Sequence, residues 1–524
     1  MSKASTKPTN SLTSPKASSQ LDARVTHWLL AFICFAAGAA VMVIEISANR
    51  LLAPHFGNSI YTWTALIGVV LVALSAGAWM GGALADKLGR VDLLGWLLSG
   101  AAVLTMLIPA LNKLLAPSLA GSGLISGPVF ISTLLFALPA VLLGAVSPAS
   151  VRFYSMVNYD TQVGHAAGVI SMLGSLGSFV GTFLSGFFLL STFGVTTIFL
   201  VTGILLLVLA LVAFWMARSS PQSQAKSVVA TMLAVGLGSL VQTPADARVV
   251  HRHDSFYHQI EVVEQGLGEN EERYLKLDST MEGGMRIRDG ALVLEYQNFW
   301  RLAELNDDLK LKRALFIGAG AFGMPEELSR QHGEAHVDVV EIDPAVIEIG
   351  RRFFKLDEHP RVHAHASDAR RFLKESAGGY DLIFGDAYNG VRHIPAHLVT
   401  REFFEEVESK LSAQGVFLMN VIAAAEGEKA ELLGHLLATL RSVFSTVEAF
   451  TVRGAGTEVQ NVILLAANQS WKPWLEDKFY LPGSLSSKLT GRRLFERQLP
   501  ASGQVFSDDW NPVDAVIARQ LLAQ

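Results

Sequence analysis

Long apolar stretches dominate the first half of this chain. Most reach the roughly 20 residues that an α-helix needs to cross a lipid bilayer. There are six such stretches and a shorter seventh interrupted by glycine, at 28–52, 63–85, 93–111, 129–151, 169–190, 195–217 and 228–241. The sequence therefore predicts an α-helical transmembrane bundle of six to seven helices over residues 25–244. A polar tail at 1–24 precedes it, and we expect that tail to be disordered.

Basic residues mark alternate loops between these stretches, at Lys87 and Arg90, at Arg152 and at Arg218. The positive-inside rule places these loops and the N-terminus in the cytoplasm. Six spans return the chain to the cytoplasm, whereas a seventh at 228–241 would carry the remainder outside. We therefore predict that 228–241 is interfacial or re-entrant and that the domain after it is cytoplasmic.

Two ionisable residues, Glu45 and Arg50, interrupt the first apolar stretch. Charged groups at that depth cost a few kcal/mol and often mark function. The structural alternative is that Arg50 reaches the membrane interface while Glu45 faces the helix bundle. The sequence leaves both interpretations open.

The charge balance differs between the two halves of the chain. Residues 1–244 carry 11 Lys and Arg against 5 Asp and Glu, whereas residues 245–524 carry 31 against 42. An acidic second half argues against nucleic acid as a partner, since phosphates are held by basic surfaces. The only cysteine, Cys34, allows no disulfide within the chain and no Cys-based zinc site. We expect no bound metal, and a homo-oligomer is left open.

The second half begins with alternating β-type sequence at 245–312. Strands are predicted at 259–263 and 273–277, and a hairpin at 285–288 and 291–294 surrounds Asp289-Gly290. From 313 to 524 strands and helices alternate, which predicts a Rossmann-like α/β domain of the class I methyltransferase type. The predicted strands lie at 314–317, 337–341, 362–364, 381–385, 416–421 and 462–466. The predicted helices lie at 325–331, 344–354, 369–375, 401–411 and 426–443.

A glycine-rich turn follows the first of these strands. Gly318 permits a tight turn, Gly320 lets a ligand approach the backbone, and Gly323 lets the next helix pack on the strand. Glu341 ends the second strand, where an acid can accept hydrogen bonds from both ribose hydroxyls.

Two more acids follow the next two strands, Asp368 and Asp386. The carboxyl ends of parallel strands share one edge of the sheet, which is where ligands bind in such folds. Asp368 also precedes a predicted helix and is equally suited to cap it. Together the glycines and the acids predict an adenosine site.

These motifs resemble the spermidine synthase family, the polyamine aminopropyltransferases. The resemblance covers about 254–421 and rests on 254–260, Leu277-Asp278, 318–323, 340–343, 368–373 and 380–386. The apolar half resembles bacterial fusions in which membrane helices precede such a domain. It implies a multi-pass protein of the bacterial inner membrane.

The resemblance implies a role for each matching residue. Glu341 would hold the ribose, Asp368 the adenine amino group, and Gly318 and Gly320 the amino-acid end of the cofactor. Asp386 would orient the attacking amine and accept its proton. Further candidate substrate-binding residues are Tyr257, His258, Asp278 and Asn389.

The sequence departs from the family where the amine binds. The acid of the family's Gly-Gly-Gly-Asp-Gly turn is absent from 320–323, and the second acid of its Asp-Ser-Ser-Asp-Pro is Asn389. The implied function is membrane-bound transfer of an alkyl group from decarboxylated S-adenosylmethionine, or a related adenosyl sulfonium, to an amine or polyamine. The missing acids keep two alternatives open. One is a membrane-tethered methyltransferase using S-adenosylmethionine, and the other is a transporter or sensor with a nucleoside- or polyamine-binding domain.

Overall fold

The computed structural model describes residues 17–57, 59–90, 92–123, 125–157, 163–217, 221–240, 248–387, 393–479, 485–500 and 503–522. Helices fill the first half, and an α/β fold follows. The first helix begins at Ala17, so residues 17–24, which we predicted to be disordered, are helical.

The first half is a bundle of apolar helices. Within the described residues, six helical segments are long and apolar enough to cross a membrane, which confirms the six predicted spans. They are Val25–Phe56, Ile60–Leu88, Asp92–Leu119, Ser126–Ser155, Val163–Thr192 and Val195–Met216. The helices are α1 (Ala17–Phe56), α2 (Ile60–Leu88), α3 (Asp92–Leu119), α4 (Ser126–Ser132), α5 (Leu138–Gly144), α6 (Val146–Val157), α7 (Val163–Leu184), α8 (Leu190–Thr192), α9 (Val195–Met216) and α10 (Pro221–Leu240).

Glycines let α1 and α7 pack with their backbones in contact. A Cβ added at Gly177 would stand 1.9 Å from the carbonyl oxygen of Phe35, and one at Gly181 would stand 2.4 Å from that of Ala39. Small residues at such a crossing allow the close approach on which helix association in membranes depends.

The α/β half contacts one end of this bundle. Arg50, near the C-terminal end of α1, donates a hydrogen bond to the Ser255 carbonyl at 2.9 Å. Gly194, just before α9, lies against Asp254. Successive spans alternate in direction, so the C-terminal ends of α2, α6 and α9 lie at the opposite end. The ion pair between Arg152 and Asp86 is found there.

Helix α10 carries the chain back along the bundle. Its Ser227 hydroxyl lies 2.6 Å from that of Ser99, near the start of α3. Between α9 and the first strand it is the only element in the described residues. Because α10 is not among the described segments long and apolar enough to cross a membrane, the prediction that 228–241 is interfacial or re-entrant stays a prediction. The polar start of α10 keeps its hydropathy low, but packing against α3 lets the helix run along the bundle.

The start of α1 and the α/β half lie at opposite ends of the bundle. If the bundle crosses a bilayer, our two expectations, a cytoplasmic N-terminus and a cytoplasmic C-terminal domain, exclude each other. The loops rich in Lys and Arg lie at the end away from the α/β half, and these charges are what the positive-inside rule counts.

We expect a reporter fused to the C-terminus to lie on the extracytoplasmic side when the chain is expressed in a bacterium. Alkaline phosphatase, which is active only outside the cytoplasm, would then be active, and a cytoplasmic fluorescent-protein fusion would be dark. An inactive phosphatase fusion together with a fluorescent cytoplasmic fusion would show that the positive-inside rule fails for this chain.

A small antiparallel sheet begins the α/β half, in the order β1-β2-β3-β4. Its strands are β1 (Val249–Asp254), β2 (Gln259–Gln265), β3 (Glu272–Leu277) and β4 (Thr280–Arg286). The predicted turn at Asp289-Gly290 is present, with Gly290 at φ +70°. The predicted strand at 291–294 is wrong, because after the turn only an isolated bridge joins Leu292 to Met285.

A seven-stranded sheet follows, in the order β10-β11-β9-β8-β5-β6-β7. The five strands from β9 to β7 are parallel, β11 is antiparallel to its neighbour β9, and the edge strand β10 is antiparallel to β11. The strands are β5 (Arg313–Ile317), β6 (His336–Glu341), β7 (Val362–Ala366), β8 (Tyr380–Gly385), β9 (Leu411–Ala423), β10 (Thr446–Thr451) and β11 (Gln460–Ala467). The six predicted strands are confirmed, and β10 is additional.

Helices flank the sheet, and their apolar faces form its two buried layers with the strands. They are α11 (Gly323–Gln331), α12 (Pro344–Phe353), α13 (Ala369–Glu375), α14 (Arg401–Lys410), α15 (Glu431–Arg441), α16 (Lys472–Phe479), α17 (Leu485–Thr490) and α18 (Val513–Leu522). The strand order reverses at β5, which has β6 on one side and β8 on the other. A ligand crevice forms at such a reversal, at the carboxyl ends of the strands.

Candidate active site

The turn after β5 requires glycine at two positions. Gly318 has φ +93° and Gly320 has φ +48°, values that side chains with a Cβ rarely adopt. A Cβ at Gly318 would stand 2.4 Å from the carbonyl oxygen of Asp386, and one at Gly320 would stand 2.8 Å from that of Glu282. The turn is thus pressed between β8 and β4, and both glycines line a cavity. Gly323 begins α11 and is close to Leu292.

Glu341 ends β6 beside this turn. Its carboxylate accepts hydrogen bonds from the amides of Ala319 at 3.0 Å and Asp343 at 2.9 Å. Burial raises the pKa of Glu341, although these two amides oppose the rise. Each oxygen retains a lone pair, so the carboxylate can still accept hydrogen bonds from two ribose hydroxyls.

Asp368 is the N-cap of α13. Its carboxylate accepts a hydrogen bond from the Arg371 amide at 2.9 Å and lies 2.9 Å from Nε2 of His397. Burial alone would raise the pKa of Asp368, but the Arg371 amide and His397 outweigh it and lower that pKa. Asp368 also lines the cavity. The two functions that the sequence left open, capping and ligand contact, are therefore compatible at this position.

Asp386 follows β8 and is held by two side chains that the sequence did not single out as site residues. Its Oδ1 accepts a hydrogen bond from Asn420 Nδ2 at 2.8 Å, and its Oδ2 lies 3.1 Å from the Tyr296 hydroxyl. Burial raises the pKa of Asp386 to about 6, against the opposing effect of Asn420 and Tyr296. A carboxyl group with that pKa can exchange a proton near neutral pH.

A signal for Asn420 was present in the sequence, where it is a lone amide within the apolar strand β9. Nothing in the sequence placed Tyr296 next to Asp386, because Tyr296 lies in a 3₁₀ segment that only tertiary packing brings there.

The remaining predicted residues divide into two groups. Tyr257 and His258 line the cavity. Asp278 does not line it, and its carboxylate instead accepts from the Gln259 amide and lies 3.0 Å from His258 Nδ1. Asp278 therefore positions the His258 side chain without lining the cavity itself. Asn389 lies outside the described residues.

Two cavities meet at Asp386 and Glu282. One, of about 490 Å³, is lined by the glycine turn, Glu341 and Asp368. The other, the acidic cavity of about 430 Å³, is lined by Tyr296, Asn420, Glu282 and Glu295, together with one cation, Arg453. A carboxyl group at the junction of two cavities can serve two ligands at once. A crevice suited to a nucleoside, joined to a mainly acidic cavity, is the arrangement expected of a group transferase with two substrates.

Comparison with known proteins identifies the family. Residues 301–469 match the spermine/spermidine synthase domain. A polyamine aminopropyltransferase of Vibrio vulnificus is 33% identical over 215 residues, which cover 39% of this chain and 68% of the relative. This chain belongs to the spermidine synthase family of polyamine aminopropyltransferases, and its α/β half is the catalytic domain of a transferase.

Two further similarities are more distant. A human eEF1A lysine and N-terminal methyltransferase is 27% identical over 156 residues, which cover 28% of this chain but only 22% of the relative. A solved structure of a probable spermidine synthase from Corynebacterium glutamicum is 20% identical, with a TM-score of 0.39, and covers 52% of this chain and 94% of that one.

We expect Glu341→Gln to weaken the binding of 5′-methylthioadenosine, which carries the nucleoside half of the substrate. The amide NH₂ would face one of the two backbone donors, and the side chain would lose the negative charge that strengthens its hydrogen bonds to the ribose hydroxyls. A hydrogen bond to a charged group contributes about 1.5–3 kcal/mol. Isothermal titration calorimetry should therefore give a Kd raised roughly 10- to 150-fold.

Glu348→Gln, at an exposed position of α12, is the matched control. An affinity of Glu341→Gln within about twofold of the wild type would contradict the ribose assignment, provided both variants keep the wild-type Tm.

Proposed function

We propose that this chain transfers an aminopropyl group from decarboxylated S-adenosylmethionine to an amine or polyamine. The observation that supports the proposal most strongly is the position of Asp386. Its carboxylate lies where the cavity of the glycine turn meets the acidic cavity, within reach of both ligands.

The chemistry is a displacement at the carbon bound to the sulfonium sulfur. The amine nitrogen forms a bond to that carbon, and the carbon–sulfur bond breaks to leave a neutral thioether. The new ammonium group gives its proton to the Asp386 carboxylate, from which water removes it. Because the sulfonium is a good leaving group, the protein contributes mainly by holding the two reactants in line and by accepting the proton.

Glu282 compensates for part of the acid that the glycine turn lacks. The acid of the family's turn is absent from 320–323 in this chain, but Glu282 lies beside that turn. It lines both cavities, and its backbone lies against Gly320. A cationic amine needs carboxylates to replace its lost hydration. Glu282, Glu295 and Asp386 together provide them.

We expect Asp386→Asn to lower the transfer rate by about 10²- to 10⁴-fold, because the amide cannot accept the proton. The Kd for 5′-methylthioadenosine should change by no more than about twofold. In the wild type, kcat/KM should fall as pH drops below about 6, because Asp386 is then protonated. Asp357→Asn, an exposed substitution, is the control. A variant rate equal to that of the wild type would exclude the proposed role.

The principal alternative is methyl transfer from ordinary S-adenosylmethionine, which the methyltransferase relative and the missing turn acid support. Electrostatics favours the decarboxylated donor. Of the ionisable groups that line the cavity of the glycine turn, Glu282 and Asp386 also line the acidic cavity, and they attract an ammonium group and repel the carboxylate of the methionine moiety.

We therefore expect the full-length protein to bind decarboxylated S-adenosylmethionine at least about tenfold more tightly than S-adenosylmethionine, a difference of about 1.4 kcal/mol. Paired calorimetric titrations measure this ratio. A preference for the carboxylated form, accompanied by methylated product, would support the alternative instead.

The bilayer and the bacterial inner membrane complete the proposal. Six apolar spans support a multi-pass protein. The charge pattern of its loops favours a catalytic domain on the extracytoplasmic side, so the sulfonium substrate would have to reach that side.

A further inference from the structure

The cavity that holds the glycine turn has two walls of different origin. The catalytic domain provides one wall. The other comes from the end of the membrane bundle, through Ile46, Asn49 and Arg50 of α1, Trp63 of α2, and Gly186 and Leu190 after α7. The nucleoside crevice is thus closed by helices that lie outside the matched transferase domain.

Arg50 makes the directional contact across this boundary. Its guanidinium donates one hydrogen bond to the Tyr257 carbonyl and another, at 2.9 Å, to the Ser255 carbonyl. A guanidinium is a rigid fork, so two such bonds fix both the position and the orientation of the segment that accepts them. Tyr257, between the two walls, is a lining residue of the cavity.

The segment 255–258 is tied in turn to the ribose acid. The Ser255 hydroxyl accepts from the His258 amide at 2.8 Å and contacts the carboxylate of Asp343. The Asp343 amide donates to Glu341 at 2.9 Å. A continuous series of hydrogen bonds therefore runs from Arg50 to Glu341.

Charge reinforces this connection. The aspartates that act electrostatically on Arg50 are Asp254, Asp278 and Asp343, and all three belong to the catalytic domain. Their attraction for the Arg50 cation offsets part of the cost of burying it at this boundary.

We propose that Arg50 is a positioning residue of the transferase and that the membrane bundle forms an integral wall of its nucleoside pocket. The proposal rests on the proposed function, because it assumes an adenosyl ligand in this cavity. Arg50 holds the segment 255–258 in its binding conformation, and the bundle thereby controls the affinity for the sulfonium substrate.

The test uses the full-length protein in detergent with 5′-methylthioadenosine as the probe. Arg50→Met keeps much of the side-chain length but removes both hydrogen bonds. Arg152→Met removes an arginine at the far end of the bundle and is the matched control. Calorimetry should give a Kd raised at least about tenfold for Arg50→Met and unchanged for Arg152→Met.

Hydrogen exchange separates positioning from general destabilisation. In Arg50→Met without ligand, the amides of Tyr257 and His258 should exchange at least about tenfold faster, while those of β5 and β8 keep wild-type rates. Arg50→Lys retains the cation but not the fork, so its Kd should lie between those of the wild type and Arg50→Met. If Arg50→Met does not fold, the Kd of Arg50→Lys provides the test.

Wild-type affinity in both Arg50 variants would overturn the inference while leaving the proposed function intact. Equal acceleration of exchange throughout the catalytic domain would also overturn it. Failure of the wild type to bind the probe or either sulfonium would instead refute the proposed function.

Discussion

A carboxyl group removed from water must be compensated, and the catalytic centre is organised around that requirement at Asp386. Asn420 donates to it from β9, and Asn461 of β11 in turn donates to the Asn420 side-chain oxygen at 3.0 Å. Tyr296 approaches it from the other side while also contacting the Glu282 carbonyl of the small sheet at 3.1 Å. The compensation of one charge therefore joins both sheets. Without these partners, burial would raise the pKa of Asp386 further.

The site residues at the carboxyl ends of the strands could be predicted, because their positions depend on local sequence patterns. Apolar runs bounded by glycines and acids predict parallel strands, and parallel strands bring Gly318, Glu341, Asp368 and Asp386 to one edge. Tyr296 could not be placed in the same way, since no periodicity relates a short 3₁₀ segment to a strand tip far along the chain. The N-cap position of Asp368 was visible in the sequence, but whether it also faces the cavity depends on the path of the helix.

The path of the membrane half could not be predicted for a different reason. Hydropathy describes α10 by its own composition, whereas its path depends on α3, against which it packs. The sequence also offered two interpretations of Arg50, a functional charge or a group that reaches the membrane interface. Neither interpretation included the hydrogen-bond partners of Arg50, because these are the backbone carbonyls of Ser255 and Tyr257, which lie in another domain. Contacts of this kind carry no side-chain signature.

The junction of two cavities at Asp386 has a kinetic consequence. In the proposed reaction the amine and the sulfonium would occupy separate cavities, so neither would need to leave before the other can exchange. The alkylated amine can depart while the spent thioether nucleoside is still enclosed between the bundle and the catalytic domain. That nucleoside would then compete with fresh sulfonium but not with the amine, so its release would govern the turnover of the enzyme.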